Sequence, residues 1–74
     1  MDDEADFEEF VTTRWSTLVG TAYLITTDRG TAEDRVQEAL TRVHRKWRKL
    51  RREGNPARYA HRAVVNAALS CKTP

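Results

Sequence analysis

Apolar side chains recur at spacings of three and four in three blocks, separated by a few helix-breaking residues. The first block is Phe7, Phe10, Val11, Trp15, Leu18, Val19, Ala22 and Ile25. It forms one stripe of an amphipathic helix, predicted over about residues 5–26. Thr27-Asp28-Arg29-Gly30 is expected to break that helix. The second block is Ala32, Val36, Ala39, Leu40, Val43, Trp47 and Leu50, which predicts a helix over about residues 31–52. Thr31 or Asp28 can cap its start, Glu33 and Asp34 suit its positive end, and Gly54 ends it. Asn55-Pro56 opens the third helix, with Asn55 as N-cap and proline at the first helical position. It is predicted to run to about residue 71. Its stripe of Ala60, Ala63, Val64, Ala67 and Cys71 is mostly small side chains, which lets it approach its neighbours closely. No alternating pattern marks a strand. The expected fold is all-α, a compact bundle of three helices, with Trp15, Trp47, Phe7 and Phe10 as its large core residues.

At 74 residues the chain is one small domain. A Rossmann fold or a barrel needs far more chain. Hydrophobic residues at 39% are too many for a disordered tail, and charged residues at 32% too many for a membrane span. No apolar run approaches the roughly 20 residues that a spanning helix needs, so no membrane insertion is expected. The opening MDDEADFEEF is acidic where a signal peptide is basic. A single cysteine, Cys71, makes no internal disulfide. Both features point to a cytoplasmic protein in a reducing compartment.

Charge divides the chain. Residues 1–38 carry ten acids and three bases, and residues 39–74 carry ten bases and one acid. Seven of those bases fall in eleven positions: Arg42, Arg45, Lys46, Arg48, Lys49, Arg51 and Arg52. Two readings stand, a surface for a polyanion and a solvated helix face. The acids Asp2, Asp3, Glu4, Asp6, Glu8 and Glu9 solubilise the chain and favour a helix N-terminus. Residues 1–5 are expected to be loose.

Catalysis finds little support. His44 and His61 sit on different predicted helices with no HExxH pattern, and no metal site or cofactor is expected. Both read as surface histidines, and Cys71 as a small buried hydrophobe. No GxxxxGK, GxGxxG or GxSxG occurs. Glu33, Asp34 and Glu38 lack a partner base, so the chain is not expected to be an enzyme.

Two stretches are more informative than composition. In Ala32–Leu40 and the residue after it, Asp34, Gln37, Glu38 and Thr41 share one polar helix face, while Val36, Leu40 and Val43 point to the core. That face is either a dock for another helix or ordinary charged surface. In Asn55–Asn66, Tyr59, Arg62 and Asn66 recur at i, i+3 and i+7. An aromatic ring, a guanidinium and an amide on one face can stack on and hydrogen-bond an unstacked base. The plain alternative has Tyr59 packing at the bundle edge and Asn66 facing water.

These stretches carry a resemblance. Phe7–Val11, Leu18–Leu24, Asp28–Asp34, Val36–Leu40 and Arg62–Ser70 closely resemble region 2 of bacterial extracytoplasmic-function sigma factors, of the sigma-70 family. The Ala-Glu-Asp-x-Val-Gln-Glu run before Val65-Asn66 is the specific signal, and the Arg- and Ala-rich flavour resembles an actinobacterial branch. The resemblance implies that Asp34, Gln37 and Glu38, with Arg35 and Thr41 beside them, grip the β′ clamp helices of the RNA polymerase core. It implies that the turn Arg51–Asn55 and the face of Tyr59 and Asn66 read the promoter −10 element, with Asn66 lining a pocket for a flipped non-template base. Arg45, Arg48, Lys49, Arg51, Arg52, Arg58 and Arg62 then contact DNA, with Asn55 in the turn. An anti-sigma factor is a further partner of such domains.

Arg35 departs from the family pattern, which has Leu or Val there. The whole of residues 1–74 reads as one region 2 domain, without the helix-turn-helix domain that reads the −35 element. The expectation is therefore an excised domain or a fragment. Two other classes compete with a promoter-recognition domain. One is a sigma-like interaction module that titrates polymerase or an anti-sigma factor. The other is an arginine-rich RNA-binding helical domain.

Overall fold

A computed structural model describes residues 3–70. Four helices follow one another: α1 (Asp3–Thr26), α2 (Arg29–Arg45), α3 (Trp47–Glu53) and α4 (Pro56–Ser70). The fold is all-helical, with α2 packed between α1 and α4 and α1 also touching α4. Among the described residues no helix is long and apolar enough to cross a membrane.

The predicted second helix is two helices. Its register breaks at Lys46, whose backbone sits at φ −108° and ψ 15°. The Lys46 N–H turns back to the Val43 carbonyl at 3.1 Å, and Leu50 N–H restarts the ladder on Lys46 O at 2.9 Å. No glycine or proline marks this kink. Its effect is to aim α3 at α1, so that the Trp47 indole meets Phe7 edge-on at 5.3 Å and Phe10 at 5.2 Å.

The other boundaries follow local chemistry. α1 starts at Asp3, so residues 3–5, expected to be loose, are helical. α2 starts at Arg29, because Asp28 and not Thr31 is the cap. Thr31 donates to Asp28 Oδ2 from both its N–H and its hydroxyl, each at 2.8 Å. Gly30 therefore lies inside the helix, and the break between α1 and α2 is Thr27-Asp28 alone. Asn55 caps α4 as expected, its Oδ1 accepting from Arg58 N–H at 3.2 Å.

The core differs in scale from the expectation. Of the four large aromatic residues assigned to it, only Trp47 is buried; Phe7, Phe10 and Trp15 are half-buried and pack along its flank. The deepest large side chains are Val36, Val43 and Val64, surrounded by Ala22, Ala32, Ala39, Ala60 and Ala68. The helices meet through alanines and valines, and the rings of Phe7, Phe10 and Trp15 pack against that core from outside. Small residues on α4 close the gap to α2, as their stripe predicts. Each buried valine or leucine contributes about 1.5–3 kcal/mol relative to exposure. Cys71, placed on that stripe by its spacing, lies outside the described residues.

Candidate nucleic-acid and polymerase interfaces

The polar face of α2 forms as its spacing requires. Val36, Ala39, Leu40 and Val43 go into the core, which leaves Asp34, Gln37, Glu38 and Thr41 exposed. Two of these are engaged within the helix. Thr41 donates its hydroxyl to the Gln37 carbonyl at 3.0 Å, and Glu38 accepts from Arg35 Nη1 at 3.2 Å. Arg35 is half-buried, with its Nε enclosed and without an acceptor among the described residues. Gln37 and Thr41 also edge a shallow groove of about 300 Å³ between α1 and α2, floored by Phe7, Val11, Trp15 and Leu40.

A second groove, of about 220 Å³, opens between α2 and α4. Tyr59, Arg62 and Asn66 line it together, as their i, i+3, i+7 spacing demands. The opposite wall is Arg42 of α2. Lys46 adds a cation at the α2–α3 kink, its ammonium 5.5 Å from the Tyr59 ring centroid. The aromatic face is thus held beside two guanidiniums, an ammonium and an amide. An unstacked base needs such a set: a ring to stack on, donors for its edge and cations for its phosphates. Arg42 and Lys46 belong to the basic run but were not among the residues assigned to base capture. Their pairing with α4 is tertiary, and no spacing within α2 reports it.

The remaining bases separate into two groups. Arg45, Lys49 and Arg52 are exposed and line a third groove, of about 440 Å³, with His44, Lys46, Trp47 and Arg48. Its other side is Asp3 and Glu4 of α1. Arg48 and Arg51 are held by acids of that first turn. Asp3 Oδ2 accepts from Arg48 Nε and Asp3 Oδ1 from Arg51 Nη1, both at 2.9 Å. The two guanidiniums, Arg48 first, hold the Asp3 carboxyl below its usual range. Asp6 Oδ2 also lies 2.9 Å from Arg51 Nη1, a close charge contact poorly aligned for a hydrogen bond. His44 meets Glu4 Oε1 at 3.0 Å and lies against Phe7 with ring centroids 4.6 Å apart. Asp3, Glu4 and Asp6, read from sequence as solubilising, are therefore partners of the basic tract.

Asn55 and Arg58 complete the survey. The Asn55 side chain is committed to its cap, while Arg58 and His61 are exposed on α4. Among the described residues no group of three His, Cys, Asp or Glu side chains is placed to hold a metal.

Comparison with curated proteins and with solved structures returns no match. Comparison with family models returns one, sigma-70 region 2, over residues 3–71. That span takes in every helix and all three grooves, and the chain belongs to the sigma-70 region 2 family, the part of a sigma factor that engages RNA polymerase and recognises promoters.

Proposed function

We propose that this domain is the −10 reader of an extracytoplasmic-function sigma factor, acting in the cytoplasm, without catalysis, on the polymerase core. The observation that carries the reading is the α2–α4 groove, where Tyr59, Arg62 and Asn66 face Arg42. In this reading the exposed Asp34, Gln37, Glu38 and Thr41 dock on the β′ clamp helices. Arg35 reaches the same interface through Glu38. One non-template base enters the groove, stacks on Tyr59 and presents its edge to Asn66. The cations Arg42, Lys46, Arg58 and Arg62 hold the flanking phosphates, and Arg45, Lys49 and Arg52 follow the strand upstream.

Opening the duplex then requires no reacting group. Unpairing and unstacking cost a few kcal/mol per base, and capture of the extruded base offsets that cost. The phosphate contacts supply affinity without sequence information, while the groove supplies discrimination.

The test is binding of a labelled single-stranded −10 oligonucleotide to the domain assembled on polymerase core. The reading requires a preference for one strand sequence over its scrambled form and over duplex of the same sequence. Polymerase binding with no strand preference would instead fit a module that titrates polymerase. Equal affinity for duplex RNA and single-stranded DNA would fit a shape-reading RNA binder.

A further inference from the structure

The first turn of α1 lies across the basic tract, and its acids meet that tract through charge contacts. α1 is anchored further along, by the buried Leu18, Val19 and Ala22 and by the contacts of Phe7 and Phe10 with Trp47. Asp3, Glu4 and Asp6 reach back over about 40 residues of sequence to Arg48, Arg51 and His44. One carboxylate, Asp3, bridges two guanidiniums at 2.9 Å each. A backbone phosphate makes the same kind of contact with a pair of arginines, through two oxygens sharing one negative charge.

We propose that this acidic turn is a built-in counter-anion, occupying Arg48 and Arg51 until nucleic-acid phosphate displaces it. The proposal rests on the reading above, that the basic tract faces DNA. Three physical features support it. The Arg48 pair is the one exposed enough to exchange first: the Arg48 side chain is 87% accessible and that of Asp3 38%, and exposed pairs hold weakly. Arg51, 30% accessible, is part-buried and follows when Asp3 leaves. The acids form one side of a groove whose other side is His44, Arg45, Lys49 and Arg52, so displacement adds two arginines to a surface already positive. Once displaced, the carboxylates stay on the positive end of α1, where the helix dipole favours them. The turn thus lowers affinity for any polyanion alike and leaves the base-reading groove of Tyr59 and Asn66 untouched.

The test compares Asp3→Asn/Asp6→Asn with Glu8→Gln/Glu9→Gln. Both remove two negative charges from α1, but Glu8 and Glu9 are exposed and make no ion pair among the described residues. The probe is a mixed-sequence single-stranded oligonucleotide bound to the full 74-residue chain, with helix content checked by circular dichroism. The proposal expects Asp3→Asn/Asp6→Asn to raise affinity about fivefold and the control less than about twofold, with a steeper salt dependence only in the first. A second measurement needs no variant: oligonucleotide added to wild type should shift the Asp3 and Asp6 carboxyl carbon resonances together with the Arg48 and Arg51 side-chain resonances. Equal gains in both variants, or carboxyl resonances that stay fixed at saturation, would overturn the counter-anion. Arg48→Ala/Arg51→Ala separates the two readings. If it weakens binding while the acid variants behave alike, only the counter-anion fails. If it leaves binding unchanged, Arg48 and Arg51 meet no phosphate and the counter-anion fails, while the −10 reading, carried by the groove of Tyr59, Arg62, Asn66 and Arg42, stands.

Discussion

Arg35 donates to Glu38 at 3.2 Å, one helical turn along α2. Arg35 is thereby tied to a residue of the expected polymerase face. A pair at this spacing stabilises a helix by only about 0.2–0.5 kcal/mol, so either member can be recruited to a partner at small cost. Gln37 and Asp34 lie exposed beside it. Gln37→Ala combined with Glu38→Lys is expected to weaken binding to polymerase core at least tenfold. Stability should move by no more than about 0.5 kcal/mol, because surface changes seldom do more. Capture of core polymerase by the immobilised domain reads the first, and a urea melt the second. Undiminished capture by the folded double variant would remove this face from the interface.

In the proposed reading the α2–α4 groove and the groove along α3 make two kinds of contact. Asn66 offers an amide to a base edge, and Lys49 and Arg52 offer only charge. Asn66→Ala should lower discrimination at one −10 position by about 1–3 kcal/mol and leave scrambled strands bound as before. Arg42→Ala, on the facing wall, should lower affinity for all strands, because a guanidinium opposite the stacking ring meets phosphate. Lys49→Ala and Arg52→Ala should each weaken every sequence similarly and reduce the salt slope by about 0.7. Fluorescence anisotropy with wild-type and base-substituted −10 strands, on assembled polymerase, distinguishes them. A uniform loss from Asn66→Ala would make it a backbone contact and end the base-capture assignment.

Periodicity is the reason so much of the bundle was legible. Val36, Leu40, Val43, Val64 and Ala67 fall on stripes set by 3.6 residues per turn, and all five are buried. The kink at Lys46 was not legible. Val43, Trp47 and Leu50 continue the three-and-four spacing straight through it, and no glycine or proline announces it. Burial depth was not legible either. A stripe says that Phe7, Phe10 and Trp15 face inward, but the volume left by three other helices decides that they stop half-way. The candidate site divides along the same line. Tyr59, Arg62 and Asn66 share one helix, so their spacing brought them together. Arg42 reaches them only because α2 packs on α4, and Asp3 reaches Arg48 across 45 positions. Contacts of that separation leave no trace in local pattern.

Acid should loosen the start of α2. Two donors from Thr31, the N–H first, hold the Asp28 carboxyl below its usual range. A depressed carboxyl contributes stability above the unfolded-state value of about 3.9, and that contribution is lost as pH falls through the lower folded-state value. Asp3 is depressed as well, so both losses run in the same direction. The melting temperature should fall on acidification from about pH 5 to pH 2. Asp28→Asn keeps a side-chain cap but cannot titrate, so its melting temperature should depend less on pH across that range. Asp28→Ala should lower the melting temperature at pH 7 by about 5 °C. An Asp28→Asn profile as steep as that of wild type would show that the cap does not carry the pH dependence.

Among the described residues two left-handed ones end helices, Thr27 and Gly54, and only the second is glycine. Gly54 closes α3 at φ 84°, its N–H reaching Leu50 O at 3.0 Å and Arg51 O at 3.2 Å. Thr27 closes α1 at φ 58°, with its N–H on Tyr23 O at 2.8 Å. A Cβ in this region crowds the following carbonyl and costs roughly 1–2 kcal/mol, and threonine's β-branch makes the position still rarer. The Thr27 hydroxyl recovers part of that cost by donating to Thr26 O at 2.6 Å. Substitutions at the two positions should therefore change stability with opposite sign. A Cβ on Gly54 would meet nothing within 4 Å, so Gly54→Ala isolates the backbone cost and should destabilise by about 1 kcal/mol. Thr27→Gly relieves the same strain but adds freedom to the unfolded chain. The balance should be a gain of about 0.5 kcal/mol, read as a higher urea midpoint with an unchanged slope. If Thr27→Gly lowers the midpoint instead, the hydroxyl bond to Thr26 outweighs the strain, and Thr27 is a stabilising cap of α1.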